Sequence, residues 1–265
     1  MGEIRVFKTL TKEDIEIINE EMPEFIRIVD TRNIDLELLA KLDPKIEIQI
    51  VGNENIEGKE QEKNSAPIYG YTGEELSGII GALKYIEQGI SDNPNWSELD
   101  KAVYLYSKLI YVFSTTGTNN ELERDDSLRA LASGIPTPKS MALIYAELCR
   151  RNGIEARYVE NSDHTDAFNE VKIGDNYYPV DNYLDLQESK KSPGSILIHN
   201  FGKNVEFYEM PTHKTSREST KFEPLKREEV QSSLDRVIGT IAEEMRKAAS
   251  LYKEDPIPKK KLDQK

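Results

Sequence analysis

The sequence predicts an α+β fold in which one amphipathic helix lies on an antiparallel sheet, with a small α/β unit ahead of it and a long helix behind. Three observations carry this. Residues 137–153 hold a helix start, a helical run of apolar side chains and a glycine stop. The runs Ala156–Glu160, Ala167–Ile173 and Tyr177–Asp181 read as strands, and Gly174-Asp175 between the last two is a two-residue hairpin signal. Residues 224–254 place Val230, Leu234, Val237, Ile241, Met245 and Leu251 along one helical stripe.

From the start, residues 1–66 form a small α/β region. Thr11–Glu21 reads as a helix on Ile15, Ile17 and Ile18, broken at Pro23. Phe25–Val29 reads as a short strand and Ile34–Leu42 as a short helix, while Ile46, Ile48 and Ile50 alternate with Glu47 and Gln49 as a strand. Gly52–Ala66 has the polar composition of a solvated linker. Beyond Pro67, Thr72 and Glu75 make a capping-box pattern that opens a helix through Ile90 on Leu76, Ile79, Ile80, Leu83 and Ile86. Ser97 caps a second helix on Leu99, Val103, Tyr106, Leu109 and Ile110, and Trp96 is placed to pack where the two helices meet. Ser114–Asp126 reads as a polar loop and Ser127–Ala132 as a short helix.

The central helix follows from local chemistry. Thr137 is a good N-cap, and Pro138 suits the first helical position, where its missing N–H would be unpaired anyway. Met141, Ala142, Ile144, Tyr145, Leu148 and Cys149 then recur at helical spacing, and Gly153 ends the run. After Asp181 a polar stretch leads to an expected strand at Ser195–His199, with Phe201–Met210 as one more. Residues 211–265 read as a linker, the amphipathic helix and a basic tail expected to be disordered.

Net charge over the 265 residues is −13, which argues against a nucleic-acid or anionic-membrane partner. Residues from Thr212 onward carry 13 Lys and Arg against 10 Asp and Glu, leaving −16 for the acidic body. This C-terminal helix either packs on the core or docks in a partner's groove, and the sequence leaves both open. Cys149 is the only cysteine, so there is no internal disulfide and no Cys cluster for zinc. No apolar run reaches transmembrane length and no signal-peptide region opens the chain, so the expectation is a cytoplasmic protein. Neither a glycine-rich phosphate loop nor a metal motif occurs, so no cofactor and no metal are called for.

The order of these elements resembles the core of the transglutaminase-like domains in the papain-like cysteine-protease superfamily. In that family a Gly-Val-Cys turn opens a helix, the helix exits into a Gly-Ile strand entry, and a His-Ala-Trp-Asn-Glu-Val strand precedes an aromatic-Pro-Val-Asp strand. The corresponding residues here are Gly153-Ile154-Glu155-Ala156-Arg157, Asp166-Ala167-Phe168-Asn169-Glu170-Val171 and Tyr178-Pro179-Val180-Asp181. The two preceding helices resemble the helical lead-in of many bacterial members. The resemblance implies a core over residues 67–210. It also implies that the family's Cys falls on Pro138, beside Thr137, and its His on Asp166, with only the triad Asp kept as Asp181.

That pattern reads as a degenerate triad and a pseudoenzyme. A thiolate at a helix N-terminus is stabilised by the free N–H groups there, whereas proline offers no nucleophile. Weak catalytic alternatives are Thr137, Ser140 and His164, none in the family's arrangement. The hairpin register pairs Val171 with Tyr178 and sets Asp166 diagonal to Asp181, roughly 7 Å apart by strand spacing. Two carboxylates at that distance raise one pKa or bracket a cation; the adopted reading is a pair of partly solvated acids at a vestigial cleft. Asp166, Asp181, Phe168 and Tyr178 are the candidate binding residues, and a protein or peptide is the expected partner, with the C-terminal helix as a second docking element. A divergent hydrolase or acyltransferase is the alternative.

Overall fold

In a computed structural model of the chain, the described residues are 4–7, 9–28, 35–51, 68–115, 126–161, 165–191, 196–202 and 224–254. The first sheet joins β1 (Ile4–Phe7), β2 (Phe25–Ile28), β3 (Glu47–Val51) and β4 (Ile68–Tyr71) in that order, the first three parallel and β4 antiparallel to β3. The crossovers carry α1 (Lys12–Glu21) and α2 (Leu36–Leu39). Parallel strands laid down in sequence order through right-handed crossovers put both helices on one face. Ile26, Ile28, Ile48 and Ile50 are accordingly buried, while Arg27 and Gln49 of the other parity hydrogen-bond each other on the opposite face. Because β4 starts at Ile68, this sheet takes its last strand from beyond the expected boundary at residue 66.

Two long helices follow. α3 (Gly73–Asp92) starts with a complete capping box, Thr72 Oγ1 accepting from Glu75 N and Thr72 N donating to the Glu75 carboxylate. α4 (Glu98–Thr115) starts with the same reciprocal pair between Ser97 and Asp100. Trp96 packs against Tyr104 with ring centroids 5.1 Å apart, at the meeting of the two helices as expected. After the short α5 (Ala130–Ser133), α6 (Pro138–Arg151) lies on the second sheet, β5 (Ala156–Glu160), β6 (Ala167–Ile173) and β7 (Asn176–Val180), which is antiparallel throughout. Val171 pairs with Tyr178 and Ile173 with Asn176, the register that the two-residue loop dictates. Gly153 at φ 73° and Gly174 at φ 60° supply the left-handed residues that end α6 and turn the hairpin.

The sequence after Asp181 folds differently from its reading. The polar stretch is a helix, α7 (Asn182–Lys191), and within the expected strand at Ser195–His199 the described residues, 196–199, are irregular or turn. Phe201 contributes a single antiparallel bridge to Val180. Polar residues predominate in α7, but Leu186 and Asp185 are buried against α4 and α6, so tertiary packing makes the helix. The remainder of the expected strand at Phe201–Met210 lies outside the described residues.

α8 (Arg227–Glu254) packs on α4, with Val230, Val237 and Ile241 buried. Its stripe is crossed by two ion pairs: Arg236 to Asp100 at 2.7 Å, and Glu244 to the wholly buried Lys108 at 2.6 Å. One apolar cluster runs from the first sheet through α3, α4 and α6 to α8. Arg151 at the end of α6 bridges Glu37 of α2 and Glu87 of α3, at 2.9 and 2.8 Å.

Candidate functional site

The N-terminus of α6 is the natural place to look for a nucleophile. Thr137 Oγ1 accepts from Ser140 N at 3.1 Å, and Ser140 Oγ accepts in return from Thr137 N at 2.8 Å. Both residues are buried, and Pro138 occupies the first helical position between them. The two hydroxyls therefore serve the backbone of the first turn. Just beyond, Lys139 Nζ lies 3.4 Å from Glu160 Oε1, which also accepts from the Tyr158 hydroxyl at 2.6 Å. Glu160 pairs with Ala167, so the start of α6 abuts the end of the sheet where Asp166 enters β6.

Asp166 is held by its own loop. Its N–H donates to Asn161 Oδ1, its carbonyl accepts from Asn161 N, and its carboxylate accepts from Ala167 N at 2.9 Å. His164 lies outside the described residues.

The strands divide the remaining candidates between two faces. Asn169 points to α6, donating from Nδ2 to the Ala142 carbonyl at 3.0 Å, and its buried Oδ1 has no hydrogen-bond partner. Tyr178, opposite Val171, shares that face. Phe168 has the other parity and forms a small separate apolar cluster with Val159. Phe168 and Tyr178 thus do not line one surface, because adjacent strand residues alternate sides.

Asp181 leads into a second constellation. Its carboxylate caps α7 by accepting from Leu184 N at 2.9 Å, and its carbonyl accepts from the Tyr106 hydroxyl at 2.6 Å. Tyr106 Oη also lies 2.7 Å from Asp185 Oδ2. Asn200 completes the group, with Nδ2 2.6 Å from Asp185 Oδ1 and its backbone N–H on the same carboxyl group. Tyr145 and Phe201 close over Tyr106 edge-on, at 5.7 and 5.2 Å between centroids. Burial pushes the Asp185 carboxyl up to about 6; the hydrogen bonds of Asn200 oppose the rise, as does that of Tyr106 where it donates to the ionised form, and the charge of Asp181 adds to it. The sequence sets Asp181 beside Asp166 as two partly solvated acids, and the acid that burial raises beside Asp181 is Asp185. Asp185 falls in a segment whose composition is that of a polar stretch, and its one signal in the sequence is a spacing of one helical turn from Asp181.

Cys149 is wholly buried in α6, and burial pushes its thiol up to about 12, so it offers no thiolate at neutral pH. His199 sits on the surface, 3.1 Å from Glu188. Among the described residues, no group of three or more His, Cys, Asp or Glu side chains is placed to hold a metal ion, and no helix is long and apolar enough to cross a membrane.

No curated protein matches the chain. A family model described as the transglutaminase-like superfamily does match, over residues 84–182, from within α3 to the first residue of α7. That span contains α6, its sheet, and Pro138, Asp166 and Asp181, the positions singled out from the sequence resemblance. Residues 84–182 of this chain are a transglutaminase-like domain.

Proposed function

We propose that this transglutaminase-like domain is noncatalytic and serves as a protein- or peptide-binding module. One observation carries the reading: Pro138 stands where the family resemblance places the attacking sulfur, and the flanking Thr137 hydroxyl is spent on Ser140 N. A hydroxyl needs an activating base to attack a carbonyl, and this one already accepts a cap hydrogen bond. Asp166, at the position of the family's His, is a carboxylate bonded to Ala167 N and is not an imidazole able to relay a proton. The nature of the ligand follows from the peptide and protein substrates of the family. Lys139 Nζ, 3.4 Å from Glu160 Oε1, puts a cationic group beside the start of α6 where a peptide carbonyl or carboxylate would meet it.

The test has two arms. The full chain is incubated with a glutamine peptide, a fluorescent primary amine and, separately, an activated acyl ester, then read by intact mass. No amine incorporation and no acyl adduct are expected; a covalent adduct overturns the noncatalytic reading. Peptide-library binding is read on the same protein and on Lys139→Glu. Peptides that bind the wild type and are lost in the variant support the module, and failure of every peptide counts against it.

A divergent hydrolase or acyltransferase is the second reading. Its support is that Thr137 Oγ1 and Ser140 Oγ lie 3.3 Å apart at a helix N-terminus, with His164 as the candidate base. Turnover of an ester substrate that disappears in both Thr137→Val and His164→Ala would favour it.

A further inference from the structure

Tyr106 Oη has two oxygen neighbours, the Asp181 carbonyl at 2.6 Å and Asp185 Oδ2 at 2.7 Å. Both separations are those of full O–H···O hydrogen bonds. A phenol carries one proton, and a backbone carbonyl carries none. Two such bonds on one hydroxyl oxygen are satisfied together when the second proton comes from the carboxyl group. Asp185 is fully buried and sits one turn after Asp181, whose like charge opposes its ionisation. Around it, α4 presents Tyr106, the start of α7 presents Asp181, α6 presents Tyr145 behind Tyr106, and the 196–202 segment presents the neutral Asn200. The outer pair His199–Glu188 is exposed, and Arg227 of α8 spends its guanidinium on the Ile198 carbonyl.

We propose that Asp185 is the proton-binding element of a clasp: as the neutral acid it donates from Oδ2 to Tyr106 Oη, Tyr106 donates to the Asp181 carbonyl, and the shared proton ties α4 to the start of α7, while Asn200 donates to the same carboxyl group with or without it. When that proton leaves, Tyr106 has two acceptors for one hydrogen, and two carboxylates face each other across the first turn of α7. Burial supports a transition near neutral pH, since it lifts the Asp185 carboxyl to about 6. The clasp acts on Asp181, where the resemblance places the family's triad Asp, so proton binding tightens the junction of that residue with α7.

The experiment is a carboxyl-carbon NMR titration of the full chain with labelled aspartate, joined to amide hydrogen exchange. Asp185 is expected to titrate about two units above an ordinary aspartate. After correction for intrinsic rates, amides 182–186 are expected to exchange at least about tenfold faster above the midpoint than below it. A midpoint at or below the ordinary value, or exchange unchanged across it, overturns the proposal. Tyr106→Phe gives the second reading. If Tyr106 accepts from Asp185, its removal deprives the acid form of a partner and the midpoint falls. If Tyr106 only donates to a carboxylate, the midpoint rises, and the clasp is refuted.

Discussion

Two buried polar sites of this domain are built in opposite ways. At the start of α6, Thr137 and Ser140 satisfy each other across three residues, a capping box that any chain with that local sequence can form. Around Asp185 the partners are Tyr106, 79 residues earlier, and Asn200, 15 residues later. The first site has no net charge and needs only a helix. The second buries an ionisable group and exists only when α4, α7 and the 196–202 segment have come together. Polar groups satisfied locally fix where an element starts; those satisfied at long range record how elements are assembled, and they make stability sensitive to charge.

The sharpest way to break this comparison is at the other long-range site. Glu244→Ala removes the carboxylate bonded to the wholly buried Lys108. Leaving a buried charge without its partner costs about 3–5 kcal/mol, which urea denaturation should read directly. The double variant Lys108→Met with Glu244→Leu should recover most of that loss. A loss under about 1 kcal/mol in the single variant would place this pair with exposed ion pairs.

Next in size is the pH dependence from Asp185. Its folded pKa of about 6 exceeds the value of about 3.9 in an unfolded chain, so the folded state binds the proton more tightly. The stability it contributes is complete below pH ~4 and is lost as pH rises through ~6, a difference of about 3 kcal/mol. Comparing wild type with Asp185→Asn at pH 4.5 and 7.5 cancels the acids they share. Equal slopes in the two proteins would contradict the assignment.

The local site should yield less. Thr137→Ala should cost about 1 kcal/mol, the ordinary loss of an N-cap, with no dependence on pH between 5 and 8. A cost several times larger would mean that the hydroxyl does more than cap the helix. Smallest of all, His199→Ala should leave the midpoint within about 0.5 kcal/mol of wild type, because its pairing with Glu188 is solvent-exposed. A larger shift would give that surface pair a structural role.

Much of the domain was legible in the sequence because its punctuation is local. Thr72, Ser97 and Thr137 start their helices where the capping patterns put them, and Gly174-Asp175 sets the register of β6 against β7. The family resemblance rested on residues 153–157, 166–171 and 178–181, and the matched span of 84–182 contains all three. What went unread is what lacks a local signal. β1 is a four-residue edge strand, too short for a period to register. With its mixed polar sequence, α7 has almost no apolar stripe, and its buried face is Leu186 with the polar Asn182, Asp185 and Ser189.

The sequence by itself determined where the helices begin and how the hairpin pairs, because each depends on residues a few positions apart. Only the tertiary structure decided that α8 packs on α4 rather than standing free, that Phe168 and Tyr178 occupy opposite faces, and that the strained acid is Asp185. Those outcomes turn on burial and on contacts between distant segments. Desolvation acts on a carboxyl group only once the chain has closed around it.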